Sequence, residues 1–287
     1  MSKAIVVTGT STGIGFAASQ TLAKAGHDVF AGVRSAAAGE ALASEGQATG
    51  GGRITPILLE VTDQASIAAA AAQVKAALGG EPLFGLVNNA GIGLGGPLLY
   101  QPIDEIRRVL EVNVIGLIAV TQAFAPMLAA TAGGAARPGR IVNISSVGGR
   151  FGAPFLGAYI ASKHAVEGLS ESLRRELMLF GIDVIVIGPG AVVTAIWDKA
   201  EAADTSYLEG TPYAASAKRF TDYFIDSGRK GLKAERLGEA VLKALTVEKP
   251  KVRYAVVKDA LTNWVIPQLL PKRLVDRTIA RQLGFIG

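Results

Sequence analysis

The sequence predicts one doubly wound α/β domain built on a parallel sheet, with a helical segment inserted after the sixth strand. Three observations carry this reading. Short apolar, β-branched runs alternate with longer helix-patterned stretches along the whole chain. The short runs are apolar at nearly every position, as strands are when helices cover both faces of a sheet. No shift in composition and no internal repeat divides the chain, so residues 1–287 read as a single domain.

The elements follow in order. KAIVVTG (3–9) is the first strand, and the glycines of TGTSTGIG (8–15) end it and open a helix. HDVFAGV (27–33) and ITPILLE (54–60) are the second and third strands. In DQASIAAAAAQVKAAL, Ile67, Ala71, Val74 and Leu78 fall on one helical stripe. LFGLVNN (83–89) is the fourth strand. NVIGLIAVTQAFAPMLAA (113–130) is the most apolar long stretch, but Asn113, Thr121, Gln122 and Pro126 make it a buried helix rather than a membrane span. RIVNISS (140–146) is the fifth strand, and Ala161, Ala165, Leu169, Leu173 and Leu177 mark a helix stripe over 158–180. IDVIVIG (182–188) and VRYAVV (252–257) complete the sheet. Between them, residues 195–232 form the helical insert, and 259–287 form a C-terminal extension. GQATGGGR (46–53) and TAGGAARPG (131–139) read as surface loops, because the alternation continues across them.

Composition excludes several functions. Hydrophobic residues are 49% of the chain and charged residues 18%, which supports a large core and argues against disorder. With no cysteine there is no disulfide, thiolate nucleophile or cysteine-ligated metal. His27 and His164 are too few for a histidine zinc site, and no metal is expected. MSKAIVVTG reads directly as a strand, not a signal peptide, so a cytoplasmic protein is expected. Lys and Arg outnumber Asp and Glu by 13 to 5 in 228–287, against 16 to 19 elsewhere. No aromatic-interleaved basic cluster accompanies this tail, so nucleic acid is not an expected partner. The amphipathic stretch at 263–285 permits membrane contact, but a solvated basic face is the favoured reading.

The chemistry gathers in three places. Gly9, Gly13 and Gly15 open a helix after the first strand, and Ser11, Thr12 and Ile14 lie between them. Glycines let a backbone approach a pyrophosphate, and a helix N-terminus supplies free N–H groups and a positive dipole end. The spacing is G-x-x-x-G-x-G rather than the commoner G-x-G-x-x-G. The second strand ends in Val33 and Arg34, where an acid would hydrogen-bond a free ribose 2′-hydroxyl. A guanidinium there suits a 2′-phosphate, so NADP(H) is the expected cofactor. Tyr159 and Lys163 stand one helical turn apart and share a face. Lowering a tyrosine pKa from about 10 to about 7 takes roughly 4 kcal/mol. An ammonium about 4 Å away, at an effective dielectric near 20, supplies about that much. The expectation is therefore a tyrosine activated by Lys163.

Together these residues resemble the short-chain dehydrogenase/reductase family. TGTSTGIG, NNAG (88–91), EVN ending at Asn113, NISS (143–146), YIASK (159–163) and PGAVVT (189–194) stand in that family's order and spacing, covering residues 8–194. The resemblance implies a Rossmann-type fold and assigns roles position by position. Tyr159 is the implied proton donor or acceptor, and Lys163 its activator and a ligand of the nicotinamide ribose. Ser146, thirteen residues before the tyrosine, is the implied active-site serine in preference to Ser145. Asn113 is implied to support a proton relay. Asn88, Ala90, Gly91, Pro189, Gly190 and Val192 are implied to line the cofactor, with Thr194 on the carboxamide and Glu60 and Val61 beside the adenine. Glu60 departs from the aspartate usual there, which weakens that one contact.

KALTVEKPKVRYAVV (243–257) and SSVGGRFGAPF (145–155) are similar to the branch containing 17β-hydroxysteroid and retinol dehydrogenases. The resemblance implies an NADP(H)-dependent alcohol dehydrogenase or carbonyl reductase acting on a ketone or secondary alcohol. It also implies a lid at 195–232 and a homodimer or homotetramer formed through helices 102–130 and 157–180. The lid's Trp197, Tyr207, Tyr213, Tyr223 and Phe224, with Phe151 and Phe155, suggest a bulky lipophilic substrate. The competing readings are a non-catalytic dinucleotide sensor, which such an intact serine, tyrosine and lysine disfavours, an epimerase of the longer sugar-nucleotide branch, and a dehydrogenase resting on a lipid surface.

Overall fold

The computed structural model describes residues 3–46, 51–129 and 138–286. The two expected glycine-rich loops lie mainly outside these residues, at 47–50 and 130–137. All seven expected strands form: β1 (Ala4–Val7), β2 (Asp28–Val33), β3 (Ile54–Leu58), β4 (Gly85–Asn88), β5 (Arg140–Ile144), β6 (Asp183–Pro189) and β7 (Arg253–Val256). They make one sheet in the order β3-β2-β1-β4-β5-β6-β7, with every pair parallel. The chain order reverses between β1 and β4. In an open parallel sheet the crevice beyond the strand C-termini at such a point is where ligands bind.

The helices are α1 (Gly13–Lys24), α2 (Ala36–Gly46), α3 (Gln64–Leu78), α4 (Ile103–Leu110), α5 (Gly116–Leu128), α6 (Gly157–Glu176), α7 (Ile196–Glu201), α8 (Ala214–Arg229), α9 (Glu235–Thr246), α10 (Ile266–Leu269) and α11 (Lys272–Leu283). Successive strand side chains point to opposite faces. Ile5 and Val7 accordingly join one core with Leu22, Leu237 and Val241. Val6 joins another with Ile67, Val74, Val120 and Phe124. That split explains why the strands are apolar throughout. Asp63 caps α3, accepting from the amides of Ala65 and Ser66 at 2.9 and 3.3 Å.

Residues Ile103–Leu128 run as a single helical rod with a π-helical turn, Glu111–Ile115, at its middle. The rod is long and apolar enough to cross a membrane. It nevertheless buries Val109, Asn113, Leu117, Val120, Phe124 and Leu128, several of them in the second core. It is therefore a core helix, as the polar residues within it imply.

Helix α6 corrects one expectation. The predicted stripe of Ala161, Ala165, Leu169, Leu173 and Leu177 is not its buried face, and Ala161 is exposed. The buried face carries Ala158, Ser162, Lys163, Val166, Glu167 and Ser170. The polar members can be buried because they find partners. Ser162 accepts from Asn113 Nδ2 and Ser170 from Asn143 Nδ2, each at 2.9 Å.

The insert after β6 is helical, as expected, and is stitched back to the sheet end. Val193 N donates to Leu232 O at 2.8 Å, and Leu232 N to Ala191 O at 2.9 Å. Leu208 and Ala217 of the insert build a third core with Phe155 and with Leu283 of the C-terminal extension, so the extension packs on the insert.

Candidate active site

At the C-terminal end of β1 the chain turns from strand to helix in very little space. Gly9 and Gly13 have φ of 67° and 64°, a region glycine enters without Cβ strain. A Cβ on Gly9 would lie 2.8 Å from the Ala90 main chain. One on Gly15 would strike the Gly9 carbonyl and Asn89 Nδ2. Thr12 is the N-cap of α1, its side chain makes no capping bond, and Ser11 and Thr12 are exposed. The start of α1 is thus an uncapped cluster of amides at a positive dipole end, beside glycines that leave room for close approach. This cradle fits the pyrophosphate of a dinucleotide.

Two further loops close around it. Thr8 Oγ1 accepts from the amides of Asn89 and Ala90 at 3.0 and 2.9 Å. Asn89 Nδ2 donates to the Thr8 and Gly9 carbonyls at 2.9 and 3.0 Å. Beyond Pro189 and Gly190, Thr194 comes within 3.3 Å of where a Gly13 Cβ would stand. At the tip of β2, Arg34 is exposed and makes no ion pair among the described residues. Next to it, Ser35 Oγ accepts from Ala38 N at 3.3 Å at the start of α2.

The reactive groups sit at the ends of β4 and β5. Ser146 caps the short turn Val147–Gly149, its Oγ accepting from Gly148 N at 3.0 Å. Its hydroxyl is placed near enough to Tyr159 to favour the phenolate. Ser145 is only 3% exposed and donates toward Lys163 O, away from that surface. Lys163 is 6% exposed; its Nζ donates to Ile144 O at 2.9 Å and lies 5.8 Å from the Tyr159 ring centroid. Asn113, in the π-helical turn, donates to Ile92 O and accepts from Ile92 N, at 2.9 and 2.8 Å. A Cβ on Gly91 would meet both Asn113 Oδ1 and Lys163 Nζ, at 3.2 and 3.6 Å. Cradle and reactive cluster therefore adjoin at Gly91. No group of metal-ligand residues occurs among the described residues.

The family model for short chain dehydrogenases matches residues 3–205, which include every one of these motifs. The chain belongs to the short-chain dehydrogenase family. Its relatives include an NADPH-dependent 3-dehydrocapnine reductase from Ornithobacterium rhinotracheale, 33% identical over 97% of this chain and 96% of the relative. A retinol dehydrogenase 5 from Mus musculus is 32% identical over 96% and 87%. A 17-beta-hydroxysteroid dehydrogenase type 6 from Bos taurus is 34% identical over 97% and 88%. These relatives match the branch anticipated from the sequence. Among solved structures, a short-chain dehydrogenase from Streptomyces avermitilis superposes with a TM-score of 0.73 at 27% identity, covering 99% of this chain and 97% of that one.

Within this short-chain dehydrogenase, four expectations change. Tyr159 is not pulled toward neutrality: burial raises its pKa above the ordinary value, and only the Ser146 hydroxyl opposes that. Lys163 Nζ meanwhile donates to the Ile144 carbonyl. Lys163 is itself lowered to about 8, by burial first, with Glu167 one turn away pulling it back up. Second, the Asn88 side chain does not line the cradle. It is buried and donates to Thr121 Oγ1 and Asn143 Oδ1 at 3.0 and 2.9 Å, bracing β4 from beneath. Asn89, its neighbour, holds the glycine turn instead. Third, Glu60 folds back on Thr62, accepting from its amide and hydroxyl at 3.2 and 3.1 Å. Its carboxylate is thus committed locally rather than presented to an adenine.

Fourth, most of the lid aromatics pack on the protein itself. Trp197 is buried, donates to Val192 O at 2.7 Å, fills the space left by Gly228 and meets Phe224 edge-on. Phe155 has φ of 63° and is wedged among Tyr213, Phe220 and Phe285. Phe151 meets Trp264 of the extension, and Tyr223 is exposed. Apart from Ser146 and Lys163, the neighbours of the Tyr159 ring include Gly93, with Ile196 close by. Gly93 adjoins the Tyr159 ring and Ile196, and Val193 and Ile196 are both half-exposed.

The pKa pattern predicts a pH profile for carbonyl reduction. The tyrosine proton persists through the neutral range, so Lys163 is the group that titrates. Its pKa is depressed because burial penalises the cation, so charge is present below about 8 and lost above it. kcat/KM for reduction is expected to be flat at lower pH and to fall about tenfold per unit above that value. Steady-state rates from pH 6 to 10 check this, and a profile without an inflection between 7 and 9 removes Lys163 from the rate.

Proposed function

We propose that this protein is an NADP(H)-dependent alcohol dehydrogenase or carbonyl reductase that interconverts ketones and secondary alcohols. The observation that carries the reading is the convergence of Ser146, Tyr159 and Lys163 beside the glycine cradle. Bound NADP(H) supplies or accepts the hydride. Tyr159 gives its proton to the carbonyl oxygen, and Ser146 donates a hydrogen bond where charge develops on that atom. Lys163 keeps a positive charge one turn below the phenol. The side chain of Asn113 is committed to Ile92 and Ser162, which ties the loop at Ile92 to the helix that carries Tyr159.

NADP(H) rather than NAD(H) is supported by exposed, unpaired Arg34 at the tip of β2 and by the start of α2 beside it. The reductase relative whose name specifies NADPH agrees. A screen of NADPH oxidation against aliphatic, aromatic and steroidal ketones tests the assignment. Absence of turnover with every class rejects it in favour of a sensor role.

For substrate size we propose a lipophilic ketone or alcohol, on changed grounds. The aromatic lid does not support it, but half-exposed Ile196 approaches Gly93, which adjoins the Tyr159 ring and adds no side chain there. Burying about 100 Å² more apolar surface gains about 2.5 kcal/mol before ordering costs. kcat/KM for a bicyclic or steroidal ketone is therefore expected to exceed that for acetone by about tenfold. Preference for acetone defeats this part and leaves the chemistry intact.

The same reading includes a cytoplasmic homodimer or homotetramer, for which the exposed Ile103, Leu110 and Ile115 on the long rod are candidate contacts. A second location has its own observation. Leu261, Leu269, Leu270 and Leu274 are exposed next to Lys272 and Arg273, an arrangement compatible with resting on an anionic lipid surface. Cosedimentation with anionic vesicles separates the two.

A further inference from the structure

Behind the reactive cluster, Glu167 is bridged by Arg253 and, at 3.3 Å, by the more exposed Arg150, and the chemistry above uses neither arginine. Glu167 follows Lys163 by one turn of α6 and is 8% exposed. Both its oxygens accept from Arg253 Nε of β7, at 3.1 and 3.0 Å. The same guanidinium reaches past the sheet end, and its Nη2 donates to the main-chain carbonyl of Ser146 at 3.2 Å. That carbonyl also accepts from Gly149 N at 3.1 Å, closing the turn that displays the Ser146 hydroxyl. Trp264 of the C-terminal extension covers Arg253, with the guanidinium 4.1 Å from its ring centroid. Gly188 is part of the fit, because a Cβ there would collide with Arg253 Nη2.

Stability is a poor explanation for this arrangement. Taking two charges out of water is costly, and apolar residues of similar volume often serve a fold as well or better. Here the geometry is also incomplete, since buried Arg253 Nη1 has no partner among the described residues. What the arrangement does supply is a rigid strut. It joins the helix that carries Tyr159 and Lys163 to the turn that carries Ser146. A planar fork held at Nε by a carboxylate has a fixed direction for Nη2. A hydroxyl that must meet a substrate oxygen needs its turn fixed to a fraction of an ångström.

We propose that Arg253 and Glu167 are positioning residues for Ser146, with Trp264 as their cover, so that β7 and the C-terminal extension set the geometry of the reaction centre. The proposal rests on the assignment of Ser146 given above. It also assigns a purpose to Arg253 of KALTVEKPKVRYAVV (243–257), with Trp264 beyond that stretch as its cover.

A double-mutant cycle tests it. Arg253→Met, Ser146→Ala and the pair are compared for kcat, KM, NADPH affinity by fluorescence titration, and melting temperature. Arg253→Met alone is expected to lower kcat by about tenfold, with NADPH affinity changed less than about twofold. In the Ser146→Ala background the same change is expected to cost less than about twofold, because the group it positions is gone. Arg253→Lys keeps the charge but not the fork, so it should recover only part of kcat. Glu167→Gln, which frees the fork, should lower kcat several-fold by the same route. If Arg253→Met does not fold, Arg253→Lys and Glu167→Gln carry the cycle. Equal losses in both backgrounds overturn the proposal, as does wild-type kcat in Arg253→Met when Ser146→Ala is impaired. Wild-type kcat in Ser146→Ala overturns the serine assignment first, and the strut with it.

Discussion

Tyr159→Phe is expected to lower kcat by about three orders of magnitude while leaving the cofactor cradle unchanged. The substitution removes one oxygen and retains the ring, which packs beside Gly93 and near Gly148. The lost contact with Ser146 costs about 1 kcal/mol of stability, so the fold persists. The cradle is built from Gly9, Gly13, Gly15, Asn89 and Thr194, none of which depends on the phenol. Chemistry is a different matter. No other described side chain near Gly93 and Ser146 can give a proton at neutral pH: Lys163 is turned to Ile144 O, and Ser146 is too weak an acid. NADPH titration and melting should match the wild type while turnover disappears. If kcat stays within tenfold of the wild type, the proton comes from elsewhere and the reading of the cluster is wrong.

The parts of the molecule legible in the sequence are those whose constraints are local. Seven apolar runs became seven strands because a strand covered on both faces is apolar at nearly every position. The glycines at 9, 13 and 15 were legible because φ and Cβ clearance act within a few residues of chain. Helix α6 was legible as a helix, but its buried face was not. Its apolar stripe faces partly outward, whereas its buried face is lined with Ser162, Lys163, Glu167 and Ser170. Periodicity detects apolar burial and is blind to polar side chains that find partners on distant strands and helices. The lid aromatics failed for a related reason. Counting Trp197, Tyr213 and Phe224 says that they are present, not which way they face, and Gly228 rather than any ligand receives Trp197. Helical spacing gives a distance between the Cβ atoms of Tyr159 and Lys163 and says nothing of the burial that raises the tyrosine. The Arg253–Glu167 contact joins residues 86 apart in the chain, where no spacing rule reaches.

Arg34→Ala is expected to weaken NADPH binding by about a hundredfold and NADH binding by less than about twofold. A guanidinium on a phosphate makes up to two parallel charge-assisted hydrogen bonds, each contributing about 1.5–3 kcal/mol when well formed. Arg34 is exposed, so solvent weakens each bond, and a total near 3 kcal/mol is the reasonable expectation. The residue is available for the task. It makes no ion pair among the described residues, and Val33 before it is buried in the first core, leaving no carboxylate at the strand tip. The start of α2 stays in the mutant, with Ser35 still capping it, so a weak anion site remains and the phosphate is not wholly rejected. NADH lacks the 2′-phosphate and depends on the glycine cradle, which the substitution does not touch. The selectivity ratio should therefore collapse through one affinity alone. Raising salt from 50 to 500 mM should weaken NADPH binding in the wild type more than in the mutant, because the contact is an exposed charge pair. Fluorescence titrations of both cofactors on both proteins decide the matter. Equal losses for the two cofactors make Arg34 a bystander, and the 2′ group must then be read by some other part of the β2 tip.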